Sequence, residues 1–397
     1  MINKIMKLTV LLVLGFAWKG MMAQGGYDFV LRQIEEHNST LAALRQQMEA
    51  QKIGNRTGLT PENPEVEFNY LWGSPTDIGN RYDLRVTQSF DFPTAYALRN
   101  KIAGLQNEGV DLVYKGEKMG ILLHAQQICV EIVYHNALAA EHAKRLQNAV
   151  GIAEKYRVML EKGEVNILEH NKAQLNLSVV QAEVEHIEAE RAALLMELKL
   201  LNGGNEIAFP LDIFPAGRLP AHFDEWYAEA ESQSPLLQYV RGQIEIDQQQ
   251  VKLNRALGLP TFTAGYMSEN VVGESFRGIT VGISIPLYAN KNRVKEAKAQ
   301  VKASEMAYED AKIQFYNRLK SQYHKAFALQ QSAQKVRKSL SMYSNESLLK
   351  KALDAGELSL LNYLLEMEYY YDAFDKALES ERDYELALSE LNYPLLL

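Results

Sequence analysis

Two histidines of the chain have the type and spacing that first suggest a metal site. His135 and His142 lie seven positions apart in a helical pattern, with Cys129 close by. Seven residues of one helix span about 10.5 Å along its axis, which is too far for both side chains to bind one metal ion. We therefore interpret both histidines as packed or hydrogen-bonded helix residues and expect no metal there.

A second pattern, Glu183-x-x-His186, has the spacing of the motif that binds paired metal ions in helical bundles. Such a centre needs matching ligands from the other half of the chain. The corresponding positions hold Lys376 and Glu379 instead. A metal site stays open as an alternative, but we expect none.

A third pattern is the tyrosine run 369–371, which could form a ligand cage but more often contributes helix packing. The sequence contains no Ser/His/Asp arrangement in a recognisable context, no phosphate-binding loop and no dinucleotide fingerprint. We therefore predict a protein that is not an enzyme and that needs no cofactor.

The composition excludes several further classes of protein. The net charge of the 397 residues is −8, which argues against a nucleic-acid binder because such proteins present a basic face. A single cysteine excludes a disulfide framework. No run of 18 apolar residues occurs, so we expect no membrane-spanning helix.

The first 23 residues resemble a secretory signal peptide. Lys4 and Lys7 precede the apolar stretch 8–18, and Ala23 supplies a small residue at the cleavage position. We predict cleavage after Ala23. The residue directly after the cleavage position is Gln24 and not cysteine, so we expect no lipid anchor there. The alternative is a buried N-terminal helix. A protein that is exported and has no membrane-spanning helix is located in the periplasm, the outer membrane or the medium.

Two long stretches without proline, 94–209 and 287–393, indicate long helices, because proline costs about 3 kcal/mol inside a helix. Each stretch has the three-four apolar rhythm of a coiled coil. Gly163 and Gly356 can end a helix in the left-handed conformation, and Asn166 and Ser359 can cap the next one. We therefore predict two antiparallel helical hairpins.

Four segments between the helices alternate apolar and polar residues, as β-strands do, at about 65–72, 81–90, 261–268 and 276–286. Their lengths are close to the 9 to 11 residues of a tilted membrane strand. We predict that one face meets lipid, with a soluble hairpin as the alternative. Residues of this face include Val66, Phe68, Tyr70, Ile279, Val281 and Ile283.

The two halves of the chain repeat the order helix, strand pair, long helix, shorter helix. We predict a first repeat at 24–203, a connecting equatorial segment at 204–227 and a second repeat at 228–397. We predict helices of the first repeat at 28–56, 95–162 and 164–202, and those of the second repeat near 228–256, 290–355 and 358–393. The long helix 95–162 would extend about 102 Å. Four strands cannot close a membrane barrel, which needs about eight, so several chains must share one.

The duplicated pattern resembles that of TolC-type outer-membrane efflux proteins. The resemblance rests on the strand entry 63–68, Asn-Pro-Glu-Val-Glu-Phe, on the Gly-Glu turns at 163 and 356, and on the order of elements. It implies a mainly α protein with a membrane β part: a homotrimer whose 12-stranded β-barrel in outer-membrane lipid continues as a long α-helical barrel. The outer membrane would be that of a Gram-negative bacterium, with the helical part in the periplasm.

The resemblance also implies a function, namely the passive exit duct of a tripartite efflux or type I secretion system. Its partners would be a periplasmic adaptor and an inner-membrane transporter of the RND, ABC or MFS type. The adaptor would dock on the hairpin tips, at Gly163, Glu164, Val165, Gly356, Glu357 and Leu358, with Val165 and Leu358 exposed. The alternative is an exported, non-channel coiled-coil protein with a structural or adhesive role.

Some members of this family narrow the periplasmic entrance with two aspartates, six and nine residues after the second glycine. This chain has Asn362 and Leu365 at those positions, with Glu366 next to them. The resemblance therefore implies a periplasmic entrance at 362, 365 and 366, but the two aspartates of those family members are absent.

Overall fold

The computed structural model describes residues 26–215, 217–288 and 290–396. The predicted signal peptide at 1–23 lies outside these residues. The described chain is mainly helical, with two strand pairs between the helices. In order, the elements are α1 (Asp28–His37), α2 (Ser39–Gly54), β1 (Glu65–Leu71), a 3-10 turn (Thr76–Ile78), β2 (Arg81–Phe90), α3 (Pro93–Glu161), α4 (Ile167–Leu201), α5 (Phe223–Gln233), α6 (Pro235–Ala256), β3 (Thr261–Val271), β4 (Glu274–Ser284), α7 (Arg293–Tyr343), α8 (Glu346–Asp354), α9 (Leu360–Asn392) and a final 3-10 turn (Tyr393–Leu395).

The four strands form one antiparallel sheet in the order β1-β2-β3-β4. The register aligns Val66 with Val86, Val86 with Tyr266, and Tyr266 with Ile279, so these side chains form one row across one face. Side chains of this face are open to the surroundings, and Ile279 is 87% exposed. The predicted apolar row is thus present across all four strands.

The opposite face of the sheet is polar. Arg85 pairs with Glu67 across β1 and β2 at 3.1 Å, and Arg81 contacts Asp83 at 3.0 Å and Glu269 at 3.1 Å. A sheet with one apolar and one charged face can separate lipid from water. Which environment each face meets is a prediction that substitutions can test.

Arginine at Val281 is expected to destabilise a membrane-inserted sheet by about 2 to 4 kcal/mol, because a charge on the lipid face must leave water. Arginine at the adjacent Thr280, on the polar face, is expected to be tolerated. The measurement is the yield of heat-stable oligomer in the membrane fraction for each variant. Similar losses for both variants would contradict the assignment of the faces.

Three helices that the periodicity predicts as continuous are interrupted. The predicted helix 28–56 breaks at Asn38, whose Oδ1 accepts the backbone N–H of Leu41 at 2.8 Å and whose Nδ2 donates to the carbonyl of Leu201 at 2.7 Å. The predicted helix 228–256 starts earlier, at Phe223, and breaks at Ser234, which caps α6. In both places a side-chain oxygen competes with the helical backbone bonds.

The third interruption divides the predicted helix 290–355 into α7 and α8. Tyr343 is the last residue of α7, and the carbonyl of Asn345 accepts the backbone N–H groups of Leu348 and Leu349 at 3.0 Å to start α8. Ser344 and Asn345 lie between the two helices, and residues of these two types favour helix ends because their side chains compete for nearby backbone groups. The long helix α3 has no such interruption.

The described residues group into two compact units. The first contains the chain up to Ala42 with 117–231 and 316–397, and the second contains 43–116 and 232–315. Each unit therefore takes segments from both predicted repeats. The division of the sequence into repeats at 24–203 and 228–397 stays a prediction.

Each unit has its own apolar core. The larger one, in the first unit, packs α1, α3 and α4 with the segment after α4, and includes Val30, Ile34, Ile132, Val133, Leu198 and Phe209. The second unit has a smaller core at Ala95, Ile102, Leu253 and Ala256, where α3 meets α6. Helix α9 adds a row of buried side chains to the first unit, Tyr384, Leu388 and Leu391 among them.

Candidate functional site: the tips of the helical hairpins

The first helical hairpin turns at Gly163. This glycine has φ 71°, and the N–H of Glu164 donates to the carbonyl of Met159 at 2.8 Å, which is a Schellman ending of α3. The side chain of Asn166 then accepts the backbone N–H of Glu169 at 3.0 Å and caps α4. Both the predicted stop and the predicted cap are present.

The second hairpin repeats this arrangement at Gly356. Its φ is 76°, and the N–H of Glu357 donates to the carbonyl of Ala352 at 2.9 Å. The hydroxyl of Ser359 accepts the backbone N–H of Asn362 at 3.3 Å and caps α9. The two turns thus share one geometry, set by a glycine and a polar residue three positions later.

The two hairpins pack on each other through an apolar cluster, here called the tip cluster. It joins α3, α4, α8 and α9 and contains Ile152, Tyr156, Ala173, Leu353, Leu360, Tyr363 and Met367. Val165 and Leu358 are half-buried and pack against it. The expectation that these two residues are exposed is therefore wrong, because both side chains pack against the tip cluster.

Polar contacts add to the tip cluster. Asn148 donates to the hydroxyl of Tyr363 at 2.8 Å, and Lys155 pairs with Asp354 at 2.9 Å. Both contacts connect α3 with the second hairpin. The relative position of the two turns is therefore fixed by side chains of several helices, and not by the turns alone.

The exposed apolar residues near the turns are different from the predicted ones. On α4, Leu168 is 65% exposed and Ile167 is 54% exposed, while Leu348 of α8 is 62% exposed. Leu361 and Leu365 of α9 are about half-exposed. We call these five residues the apolar rim. Their sequence context does not distinguish them from core residues, because both kinds occupy apolar helical positions.

The remaining predicted tip residues are at the surface. Glu164 and Glu357 are exposed directly after their glycines, and Asn362 and Glu366 are exposed on the first two turns of α9 with Leu365 between them. The structure thus brings the docking and entrance residues to neighbouring turns of one unit. Their roles in docking and entrance stay predictions.

A buried ion pair connects α3 to α9 farther from the turns. Arg145 is 5% exposed, and its guanidinium donates to both carboxylate oxygens of Asp375, at 2.9 and 2.5 Å. The same guanidinium lies 4.2 Å from the ring centre of Tyr371. Bidentate and ring contacts of this kind are specific to arginine and hold the two helices in one register.

The histidines of the sequence patterns have local partners. His142 is buried beside Arg145, whose Nη1 is 3.1 Å from its Nε2, and Glu183 lies 3.5 Å from its Nδ1. Burial and the Arg145 charge lower the pKa of His142. His135 contacts its own helix, with Nδ1 2.8 Å from the carbonyl of Glu131. Among the residues that the structure describes, no group of three or more His, Cys, Asp or Glu could hold a metal ion.

The other residues of those patterns also have ordinary surroundings. His186 is exposed, and Cys129 is buried in the larger core, where burial raises the pKa of its thiol to about 12. Tyr370 and Tyr371 pack against the tip cluster, whereas Tyr369 is 74% exposed. The tyrosine run is thus mainly a packing feature.

In the described part of the chain, none of the helices combines the length and the apolar character that a membrane crossing requires.

The fold is that of the TolC-type outer-membrane channels. The solved structure of CusC has a TM-score of 0.75 to this chain at 14% sequence identity, covering 93% of this chain and 91% of CusC. The outer-membrane protein VceC from Vibrio cholerae has a TM-score of 0.72 at 13% identity, with 92% and 95% of the two chains covered. These likenesses establish the architecture of helices and strands.

The sequence comparisons agree with this fold. The model of the family described as "Outer membrane efflux protein" matches residues 226–363. The alkaline protease secretion protein AprF of Pseudomonas aeruginosa is 22% identical over 93% of this chain and 83% of its own length. The resemblance to outer-membrane efflux proteins that the sequence pattern indicated is confirmed.

Proposed function

We propose that this protein is the outer-membrane exit duct of a tripartite efflux or type I secretion system. The observation that carries the proposal is the sheet with one exposed apolar face and one charged face, joined to long helical hairpins. The match to outer-membrane efflux proteins and the relative AprF support it. The duct is passive, because its walls need only exclude lipid and admit water.

The apolar sheet face also argues against the alternative of a non-channel coiled-coil protein. Such a protein would leave Val281 and Ile279 in water at 77% and 87% exposure. Contiguous exposed apolar surfaces of this kind mark membrane or protein contacts. A spacer or adhesin has no need of them.

The working unit of the duct is a homotrimer in outer-membrane lipid. In the sheet order, β1 and β4 have only one neighbour each, and unpaired strand edges seek partners. Three copies of a four-stranded sheet make a 12-stranded barrel, which is above the minimum of about eight strands.

Light scattering on detergent-solubilised protein is expected to give the mass of three chains. The physical reason is that two open strand edges per copy are satisfied only when the ring closes. A stable monomer obtained without detergent would contradict both the trimer and the membrane insertion.

The periplasmic adaptor docks on the hairpin tips, and an inner-membrane transporter of the RND, ABC or MFS type completes the system. The apolar rim supports this site, since its exposed side chains lie beside the exposed acids Glu164 and Glu357. Apolar residues within a polar surround are typical of protein–protein interfaces. Docking depends more on the rim than on Val165 and Leu358, which belong to the packing of the turns.

Lysine at both Ile167 and Leu168 is expected to weaken adaptor docking about thirtyfold, because two buried apolar contacts at an interface, each worth about 1 kcal/mol, sum to about 2 kcal/mol. The measurement is crosslinking of a Leu361→Cys protein to the co-expressed adaptor, with and without the lysines. Cys129 is buried, so its thiol does not compete.

The matched control is Leu200→Lys, since Leu200 is 69% exposed on the same helix but about 50 Å from Ile167. This variant is expected to crosslink like the parent protein. All variants should still form trimers in the membrane. Unchanged crosslinking with both rim lysines, or equal loss with Leu200→Lys, would exclude docking at the rim.

A further inference from the structure

A cavity of about 290 Å³ lies in the first unit, away from the tips. It is an open cavity lined by the irregular segment between α4 and α5 and by helices α7 and α9. Its lining residue Glu385 lies about 25 residues after the first residue of α9, which is about 38 Å along the helix axis. The lining residues are Asp212, Ile213, Phe214, Pro215, Gly217, Arg337, Leu378, Glu381, Tyr384 and Glu385.

A buried carboxyl group without a hydrogen-bond donor lines this cavity. Glu385 is 8% exposed, and no residue in the described part of the chain donates a hydrogen bond to its carboxyl oxygens. Gly217 lies directly beside this carboxyl group, since a Cβ on that glycine would be 3.0 Å from Oε2 of Glu385. A buried carboxyl group normally has a partner, since burial without one costs free energy.

A second unsatisfied group is close to the same carboxyl. The hydroxyl of Tyr27 is buried with no hydrogen-bond partner among the described residues. Burial, and next the charge of Glu385, raise the pKa of Tyr27. Tyr27 is not one of the residues that line the cavity, so the Glu385 carboxyl is the group of this pair that a ligand in the cavity can reach.

The charges at the cavity favour a cation. Three of the lining residues are acids, and the single lining base, Arg337, is held by Glu381 at 2.8 Å. Arg337 is therefore engaged with Glu381, and Glu385 is left without a positive partner. Burial and the charge of Glu381 raise the pKa of Glu385 to about 7.

The walls of the cavity favour an organic cation over a metal ion. Phe214, Pro215 and Leu378 supply apolar surface next to the carboxyl. No group of acids or histidines in the described residues is arranged to hold a metal ion. A volume of about 290 Å³ is at the lower end of the range for small-molecule pockets.

We propose that this cavity binds a small organic ammonium ion, whose charged nitrogen pairs with Glu385 and whose apolar body lies against Phe214 and Leu378. A charge-assisted hydrogen bond between an ammonium group and a carboxylate satisfies the group that burial leaves unpaired. The site lies in the wall of the unit and is separate from the docking tips.

Binding depends on pH because the amine pairs with the ionised carboxylate. Between pH 8 and pH 6 the ionised fraction of a carboxyl with pKa about 7 falls about tenfold, and the affinity falls with it. Titratable groups face Glu385 from each neighbouring element. They are Asp212 from the segment, Arg337 from α7, Glu381 and Tyr384 from α9, and Tyr27 before α1.

The test is calorimetric titration of the solubilised full-length oligomer with benzylammonium chloride at pH 8 and pH 6. Benzyl alcohol, which has the same ring without the charge, is the matched probe and reports partition into detergent. We expect saturable binding of the amine at pH 8, about tenfold weaker binding at pH 6, and no saturable binding of the alcohol.

Glu385→Gln is expected to abolish saturable binding, and Gly217→Ala to weaken it, because the added methyl would overlap the Leu388 side chain and crowd the Glu385 carboxyl. Glu368→Gln is the matched control, since Glu368 is exposed on the same helix. Both pocket variants should retain the helical content of the parent. No saturable binding to the parent, equal binding to Glu385→Gln, or binding independent of pH would each overturn the proposal and leave a water-filled cavity. None of these outcomes bears on whether the protein is a duct.

Discussion

Replacing Arg145 with alanine is expected to destabilise the helical part of the protein by about 3 kcal/mol. The variant leaves the Asp375 carboxylate without its bidentate partner and removes the guanidinium from the ring of Tyr371. Removing one partner of a buried pair typically costs about 3 to 5 kcal/mol, and we take the lower end because Asp375 is partly exposed. The measurement is urea unfolding of the solubilised oligomer, followed by helical circular dichroism.

The matched control is Arg157→Ala on the same helix. Arg157 contacts Glu154 and Glu161, which are residues of its own helix, and all three side chains are at least 46% exposed. Exposed pairs within a helix contribute less than about 1 kcal/mol. Equal losses from the two variants would mean that the Arg145 pair does not hold α3 to α9.

Replacing Glu385 with glutamine is expected to stabilise the protein at pH 8 by about 3 kcal/mol. The pKa of Glu385 is raised from 4.5 to about 7 in the folded state. Between these two values the folded protein binds a proton that the unfolded chain releases, so folding stability falls as the pH rises through this range. Above pH 7 the full free-energy cost of burying the ionised carboxylate is present. A neutral glutamine at this position does not have that cost.

The pH profile of this variant separates the electrostatic cost from packing. Thermal unfolding midpoints of parent and variant should differ at pH 8 and approach each other toward pH 5, where the folded parent holds its proton. Glu368→Gln, which changes an exposed carboxylate on the same helix, should show no such profile. A difference that is the same at both pH values would indicate a change in packing instead.

The strands and turns could be predicted from the sequence because their signals are local. Strand alternation fixes which residues share a face, and the register confirms it for Val66, Tyr266 and Ile279. A glycine followed three residues later by Asn or Ser is a helix stop and a cap, at Gly163 as at Gly356. Both signals lie within about ten residues, so no distant contact is needed to interpret them.

The helix interruptions were harder to predict because they depend on distant partners. The break at Asn38 is stabilised by a hydrogen bond to Leu201, more than 160 residues away in the sequence. An isolated asparagine within an apolar helical rhythm is compatible with both a break and a continuous helix. Tertiary contact decides between them.

In the candidate sites too, local features could be predicted from the sequence, and features that depend on distant contacts could not. Periodicity located the turns but not the burial of Val165 and Leu358, since that depends on the tip cluster contributed by four helices. The Glu385 cavity gave no sequence signal, because its carboxyl, its glycine wall and Arg337 come from three separate segments. A single sequence without its fold does not place these groups together.

The most direct test of the exit-duct function is the current through a planar lipid bilayer after addition of protein extracted from the outer membrane. We predict discrete current steps whose size grows with salt concentration, because three copies enclose a water-filled barrel lined by the charged face of the sheet. Protein that partitions into the bilayer as a trimer but gives no current steps would contradict the account.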